Sequence, residues 1–261
     1  MAGSAVTADD VTTGADATTG ANAVADVVAE AVDRVGGMLE GIFATVQETV
    51  GRTGTLLGAV AAAGRRPTRA DLARLQPLLR GQLARHTGLV SGSGFVAAPG
   101  LLADVPAWLE WWQPGPDGRA VPMLLDLDPT TSAYSDYTHW DWYTLPRGTG
   151  RRAVSGPYVD YLCTDEYTLT LAAPVQVEGV FAGVAAADVY LRHFEDAVGP
   201  ALRRIPAPAY LVNPRGRVAA SNSALRLAGS LVRDLDAAAA RGELLRHPCG
   251  EIPLTLVTHR D

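Results

Sequence analysis

The sequence has no lysine, and its basic charge rests on 22 residues that are all arginine. Aspartate and glutamate number 28, so the formal net charge is -6 and the isoelectric point is about 5.4. Domains that bind nucleic acids carry a basic patch that neutralises phosphates, and no dense cluster of arginines is visible here. The composition therefore argues against a nucleic-acid partner.

Long apolar runs are also missing. A transmembrane helix needs roughly 20 consecutive apolar residues, and the best candidate, residues 24–60, contains seven charged positions. These are Asp26, Glu30, Asp33, Arg34, Glu40, Glu48 and Arg52. The first twenty residues are mostly Ala, Thr, Asp and Gly, and they lack the basic start and apolar run of a secretory signal. We expect a disordered leader over residues 1–21, no membrane segment and a cytoplasmic location.

Cysteine is scarce as well, with only Cys163 and Cys249. Their spacing does not match a metal site. Free thiols in a reducing cytoplasm are the simpler interpretation, and a single disulfide is the alternative.

A long amphipathic helix is predicted over residues 22–63. Its apolar positions recur at alternating steps of four and three residues, which is the period of a coiled-coil or bundle seam. They are Val28, Val32, Val35, Leu39, Ile42 and Val46, with Thr49 continuing the series. The helix could lie on its own domain, form a dimer seam or serve as a solvated linker. A second helix is predicted near residues 69–86, with Thr68 as its N-cap, so residues 22–88 form an N-terminal helical segment.

From about residue 93 the chain changes to short apolar runs between turns rich in Gly and Pro, which predict strands. The predicted strands cover 94–99, 107–113, 120–127, 158–163, 167–177, 180–188, 209–212, 217–220 and 252–257. Helical segments are expected at 190–203 and 223–241, and residues 138–145 are expected to be a short helical or irregular segment. The order predicts an α+β fold: long N-terminal helices, then one central antiparallel sheet flanked by helices, with residues 89–261 as one domain.

Sequence motifs of common active sites are missing. Neither a nucleotide-binding glycine loop nor a nucleophile elbow occurs, and the segment Ser91-Gly92-Ser93-Gly94 precedes a strand instead of opening a helix. The five histidines are scattered and show no metal-ligand spacing. We therefore predict no catalytic residue, no metal site and no cofactor.

Aromatic residues make up only 7% of the chain, yet six of them fall between residues 134 and 158. They are Tyr134, Tyr137, Trp140, Trp142, Tyr143 and Tyr158, and Asp136, Asp141 and Asp160 lie among them. Aromatic faces and carboxylates both attract an ammonium group. The cluster therefore predicts a pocket for a small cation. The alternative is that these rings fill the core under an irregular loop.

Four segments in order resemble the ligand-binding half of Cache sensor domains. They read WDWY from Trp140, GPYVD ending at Asp160, TLTLAAPV from Thr168 and GVFAGVAAADV from Gly179, and a hairpin at 210–222 follows them. The likeness covers roughly residues 70–225. It implies a Cache/PAS-like fold with a long N-terminal helix, a central antiparallel sheet and a pocket between sheet and loops.

The resemblance also implies binding residues. Family members that bind amines or amino acids line the pocket with the segment matching residues 140–143, and an aspartate matching Asp160 or Asp188 holds the ligand ammonium. Trp142, Tyr143, Tyr158, Asp160 and Asp188 are the implied contacts, and Tyr134, Tyr137 and Trp140 complete the candidate ligand-binding set. Asp188 has a second interpretation, as the cap of the helix that starts near Tyr190.

The chain departs from the family in three respects. Trp140 stands where the amino-acid-binding pattern has the arginine that clamps a carboxylate, which favours a simple amine over an α-amino acid. Neither a transmembrane helix nor an output domain is expected, because only about twenty residues follow residue 241. The resemblance is thus to a cytoplasmic, stand-alone form of a single Cache domain.

The sequence therefore predicts a sensor module that binds a small cationic, amine-type metabolite and signals through a separate regulatory protein. A homodimer through residues 22–63 is a further expectation. Two alternatives remain: an interaction protein with a vestigial pocket, and a hydrolytic enzyme that uses Asp160, Asp188, Glu166 or His139 as acid and base.

Overall fold

The computed structural model describes residues 12–128, 130–131, 135–160 and 166–260, with side chains in the first helix from residue 22 onward. Helix α1 spans Thr12–Ala62. It begins ten residues before the predicted start, so the predicted leader over 1–21 overlaps its first turns. The chain then forms α2 (Arg69–Leu72), a 3-10 turn (Ala73–Leu75) and α3 (Gln76–Arg85). None of the helices in the described residues is long and apolar enough to cross a membrane.

Six strands form the larger sheet, in the antiparallel order β3-β2-β1-β6-β5-β4. They are β1 (Val90–Ala97), β2 (Leu109–Pro114), β3 (Ala120–Pro122), β4 (Ala153–Val159), β5 (Tyr167–Val177) and β6 (Val180–Tyr190). Helix α4 (Asp141–Thr149) precedes β4, and α5 (Leu191–Leu202) follows β6. The sheet thus contains the predicted hairpin of β5 and β6, joined at Glu178 and Gly179.

A second antiparallel sheet has the order β8-β7-β10-β9. It consists of β7 (Ala209–Val212), β8 (Val218–Ser221), β9 (Leu244–Pro248) and β10 (Thr255–His259), with the short helix α6 (Leu235–Ala240) before β9. The prediction of a single central sheet is wrong in this respect, although the α+β class is confirmed. The helix predicted over 223–241 shrinks to α6, because Gly229 adopts φ +82° and the backbone turns there.

The predicted apolar stripe of α1 packs against its own domain. Val35, Leu39, Ile42 and Val46 are fully buried in one cluster with residues of both sheets, among them Leu171 and Leu211. The six glycines between residues 36 and 58 do not break the helix. In the structure, α1 therefore lies on its own domain. A homodimer through residues 22–63 would need another face of α1.

Thr68 begins α2, as predicted, with a reciprocal arrangement around Asp71. The Thr68 backbone N–H donates to Asp71 Oδ2 over 3.0 Å, and the Asp71 N–H donates to the Thr68 carbonyl over 3.0 Å. Arg65 adds two bonds of 2.7 Å to the same carboxylate. The Arg65 guanidinium, the Thr68 hydroxyl and the Thr68 N–H together hold the pKa of Asp71 well below its usual range. This cluster stabilises the turn from α1 into α2.

Candidate functional site

A hollow lies on the outer face of the six-stranded sheet, the face opposite α1. Strands β1, β2, β4, β5 and β6 and the chain between β3 and α4 enclose it. Its lining is mostly apolar and aromatic, with the hydroxyl groups of two tyrosines and one threonine and the carboxyl groups of two aspartates. The lining residues are Val96, Leu109, Trp111, Met123, Leu125, Tyr137, Trp142, Tyr158, Asp160, Thr170 and Asp188.

Two aspartates stand together at one end of the hollow. Asp160 follows β4, is only 4% exposed, and donates its backbone N–H to the Glu166 carbonyl over 2.9 Å. Asp188 lies in β6. Although part of its surface is open to the hollow, protein surrounds it so closely that desolvation, with repulsion from Asp160, raises the pKa of Asp188 to about 8. At neutral pH the pair therefore holds a proton that a bound cation could replace.

A chain of hydroxyl groups orients the Asp188 carboxyl. Thr170, opposite Asp188 on β5, donates its hydroxyl to Asp188 Oδ1 over 2.6 Å. The Tyr158 hydroxyl lies 2.7 Å from Thr170 Oγ1. Because Thr170 has a single hydroxyl proton and gives it to Asp188, Tyr158 donates to Thr170. The register of β4, β5 and β6 thus assembles a connected polar group on one face of the sheet.

Aromatic rings form the other walls. Tyr137 is 2% exposed, and its hydroxyl donates to the Ala97 carbonyl over 2.8 Å, which fixes the chain before α4 to the end of β1. Trp142, in the first turn of α4, faces the hollow beside it. Trp111 contributes from β2, and its indole Nε1 is buried and has no hydrogen-bond partner among the described residues. These rings supply apolar surface and π-faces next to the two aspartates.

Two glycines in β1 make room for Trp111. A Cβ atom added to Gly92 would lie 2.6 Å from Trp111 Nε1, and one added to Gly94 would lie 2.8 Å from the Trp111 Cα. Both glycines are paired with β6, at Asp188 and Ala186 respectively. The segment Ser91-Gly92-Ser93-Gly94 is therefore part of β1, and its small residues admit an indole.

The candidate residues divide into three groups. Tyr137, Trp142, Tyr158, Asp160 and Asp188 line the hollow. Tyr143 and Trp140 lie beside it: Tyr143 is fully buried, with its ring 5.4 Å from that of Tyr137, and Trp140 lies on an outer cleft with its ring 5.4 Å from that of Tyr158. Tyr134 lies outside the described residues, as does Cys163, while Cys249 is buried and free.

The alternative role of Asp188 as a helix cap does not fit the structure. Helix α5 begins at Leu191, its N-cap is Tyr190, and no side chain caps it. Asp188 lies two residues before this N-cap, inside β6, where its carboxyl accepts a hydrogen bond from Thr170. Asp188 is therefore available to the hollow.

Trp111 and Thr170 line the hollow but do not belong to the predicted binding set. Both lie in strands, and a strand alternates its side chains between two faces. Thr170 lies two residues from Thr168 in the segment that resembles Cache domains. This spacing puts both side chains on one face of the strand, so Thr170 could have been found. Trp111 is followed by Trp112, which faces the opposite side, so the sequence alone does not say which indole reaches the hollow.

The hollow lacks the groups that would hold a metal or an anion. No cluster of three or more His, Cys, Asp or Glu side chains suited to a metal ion occurs in the part of the chain that the structure describes. Every charged residue among the described lining residues is acidic. An arrangement of paired carboxylates and aromatic rings can neutralise and enclose a small cation.

A sequence comparison points to sensory proteins. Residues 123–196 match the family model described as methyl-accepting chemotaxis protein-like, first PDC sensor domain. The matched stretch contains Asp160, Asp188 and all but three of the described lining residues of the hollow, the exceptions being Val96, Leu109 and Trp111. A search of curated proteins found no match.

Solved structures with the same fold are also sensory domains. Methyl-accepting chemotaxis protein X superposes with a TM-score of 0.60 at 18% identity, covering 88% of this chain and 97% of that one. The ligand-binding domain of the Pseudomonas aeruginosa amino-acid chemoreceptor PctC, in complex with GABA, gives 0.57 at 18% identity, with 89% and 97% coverage. That of the Pseudomonas fluorescens chemoreceptor CtaA, in complex with L-valine, gives 0.57 at 13% identity, with 92% and 96% coverage.

These likenesses define the fold as that of a PDC-type sensor domain, also called Cache-like. The family model and the superposed structures are those of sensor ligand-binding domains and not of enzymes. Because the superposed chains extend over both sheets, the likeness is to the whole two-sheet arrangement.

Proposed function

We propose that this protein is a sensor module that binds a small cationic, amine-type metabolite in the hollow and signals through a separate regulatory protein. The ligand ammonium would lie between Asp160 and Asp188, with Trp142, Tyr137 and Tyr158 around its apolar part. The single observation that carries the proposal is the pair of neighbouring carboxyl groups in an aromatic hollow that has no basic residue among its described lining.

The charge of the hollow favours an amine over an α-amino acid. Capture of a zwitterion requires a cation for its carboxylate, and arginine serves this purpose because it binds carboxylates bidentately. PctC and CtaA, crystallised with GABA and L-valine, support an ammonium-bearing ligand for this fold. Here Trp140 replaces the arginine of the amino-acid pattern, and its indole packs against Tyr158. An amine without a carboxylate therefore suits this hollow better.

Ligand entry requires the walls to move apart. The hollow has a cavity volume of about 20 Å³, which holds about one water molecule. Ligand binding would therefore be coupled to a shift of the lining side chains, and such a shift is what a sensor needs to report occupancy. The cytoplasmic location and the identity of the partner stay predictions from the sequence.

Calorimetric titration of the full chain tests the proposal. The probes are ethanolamine, putrescine and choline as amines, GABA and valine as zwitterions, and acetate and succinate as anions, after a thermal-shift screen in which a binder raises the melting temperature. We expect at least one amine to bind and no anion to do so. Asp188→Asn and Asp160→Asn should each weaken that amine on the order of 100-fold, because a buried cation loses its counter-charge.

Asp117→Asn is the matched control, since Asp117 is an exposed aspartate in the turn between β2 and β3. It should leave the affinity unchanged. Unaltered amine affinity in both Asp188→Asn and Asp160→Asn would remove the proposed contacts, and selective binding of succinate would refute the cationic ligand.

A further inference from the structure

Charge is unevenly distributed along this acidic chain. Between Asp196 and Asp234, residues 197–233 contain six arginines and no aspartate or glutamate. They are Arg203, Arg204, Arg215, Arg217, Arg226 and Arg233. This stretch covers the end of α5, the hairpin of β7 and β8 and the segment that leads to α6. The second sheet therefore carries a local positive charge in a protein whose net charge is -6.

Only part of this positive charge is neutralised within the protein. Arg204 pairs with Glu30, and Arg215 pairs with Asp141 over 2.7 Å. Arg217 donates to the Gly229 carbonyl, which is uncharged. Among the described residues, Arg226 and Arg233 have no acidic partner within 4.0 Å. The positive charge at the segment after β8 is thus available to an external anion.

Exposed leucines lie in the same segment, residues 222–233, which we call the leucine loop. Leu225 is 89% exposed, Leu227 is 66% exposed and Leu231 is 45% exposed. Arg226 stands between the first two, and Arg233 follows the third. Single exposed leucines are common, but three within seven residues, interleaved with unpaired arginines, form an amphipathic surface.

We propose that the leucine loop docks on an anionic lipid surface. Leu225 and Leu227 would enter the boundary between headgroups and acyl chains, and Arg226 and Arg233 would lie at the level of the lipid phosphates. Basic residues next to exposed apolar side chains are the combination that binds peripheral segments to anionic membranes. This inference concerns a different sheet from the hollow and does not rest on the proposed amine site.

The shape of the loop favours lipid over an acidic protein. The two most exposed leucines of the loop, Leu225 and Leu227, line none of the larger clefts found in the described residues. Protein interfaces concentrate binding energy in closely packed pockets, whereas a lipid surface accepts protruding side chains without a fitted cavity. An arginine directly between two leucines also suits a lipid surface, because its anionic phosphates lie within a few ångströms of its apolar acyl chains.

Co-sedimentation of the full chain with vesicles tests this proposal. The probes are phosphatidylcholine vesicles with and without phosphatidylglycerol, at low and high salt. We expect binding to the anionic vesicles only, and weaker binding at high salt because ions screen the arginines. The double variant Leu225→Ser/Leu227→Ser and the double variant Arg226→Gln/Arg233→Gln should each reduce the vesicle partition coefficient about tenfold or more.

Two controls match these variants. Leu124→Ser removes a leucine that is 83% exposed outside the loop, and Arg52→Gln removes an exposed arginine of α1. Both should bind vesicles as the unaltered protein does. Circular dichroism checks that each variant is folded, and Leu225→Ser alone provides a milder change if the double variant is not.

Several outcomes would overturn the proposal. They are equal binding to vesicles with and without phosphatidylglycerol, unchanged binding of both double variants, and an equal loss in the controls. Absence of vesicle binding together with a leucine-dependent oligomer in gel filtration would assign the loop to contact between copies of this chain instead.

Discussion

Both sheets are antiparallel, but their outer faces are covered differently. On the six-stranded sheet the outer face has small residues, among them Gly92 and Gly94, which admit the Trp111 indole, and Trp111 forms part of the wall of a hollow. On the four-stranded sheet Tyr210 and Val257 occupy the equivalent face and pack under Val232 and α6. Side-chain volume at a few strand positions therefore decides which sheet has a hollow on its outer face and which has a filled core.

The inner faces, by contrast, are joined. Leu171 of the larger sheet and Leu211 and Leu256 of the smaller one belong to a single buried cluster with α1. The two sheets are therefore expected to unfold together, although their outer faces differ.

The largest predicted effect concerns this joint core. Leu39→Ala should lower the free energy of unfolding by about 2–5 kcal/mol, because Leu39 is fully buried in α1 and its loss leaves a cavity. All five tryptophans lie between residues 108 and 142, on the side of the larger sheet. Urea unfolding followed by tryptophan fluorescence and by far-ultraviolet circular dichroism should therefore give coincident curves in both proteins. Separate transitions would show that the sheets are independent.

The next prediction concerns the acidic end of the hollow. Because the pKa of Asp188 is raised to about 8, a cation must displace a proton below that pH. Amine affinity should rise about tenfold per pH unit from pH 6 towards 8 and then level off. Calorimetry with a quaternary amine such as choline, or with the amine that binds best, measures this slope. Asp188→Asn should abolish it, whereas a steep slope in that variant would place the titrating group elsewhere.

The same raised pKa makes the stability of the ligand-free protein fall as the pH rises, whereas the amine affinity rises over the same range. The unfolded chain releases this proton above about pH 4, and the folded protein holds it until about pH 8. The contribution of Asp188 to stability is thus present at low pH and is lost progressively as the pH rises through this window. A melting temperature that falls over this range in the unaltered protein, and falls less in Asp188→Asn, would support the assignment.

The smallest predicted effect compares two buried hydroxyl groups. Tyr143, beside the hollow, and Tyr210, in the smaller sheet, both bury a hydroxyl that has no hydrogen-bond partner in the part of the chain that the structure describes. Burial of an unsatisfied polar group costs about 1–3 kcal/mol, so Tyr143→Phe and Tyr210→Phe should each leave stability unchanged or raise it by about 1 kcal/mol. Urea denaturation measures the free energy of unfolding of both variants. A loss of more than about 1 kcal/mol at only one site would show that its hydroxyl has a partner.

Sequence patterns predicted strands best where a hairpin is long and regular. The alternation over residues 167–188 and the turn at Glu178 and Gly179 led to the correct strand pair. The second sheet was not recognised because β9 has the sequence LLRHP, in which a proline and two polar residues hide the strand pattern. The helix expected at 223–241 does not form before Leu235, where α6 begins, and Leu225 and Leu227 are exposed.

The candidate site was predictable where a motif carried it. Asp160 and Asp188 were recognised from their resemblance to Cache sequences, and both line the hollow. The placement of Trp140 and Tyr143 outside the lining was not predictable, since neighbouring residues in the first turn of a helix point in directions about 100° apart. Strand register similarly decides that Thr170 meets Asp188.

Helix α1 has 51 residues, which at 1.5 Å per residue corresponds to about 77 Å. Such a rod extends well beyond the width of either sheet. A tilt of only about 5° at its packed portion would displace the distant end by several ångströms, because the displacement grows with the length of the helix. Small rearrangements among a few side chains could thereby become movements large enough for another molecule to detect.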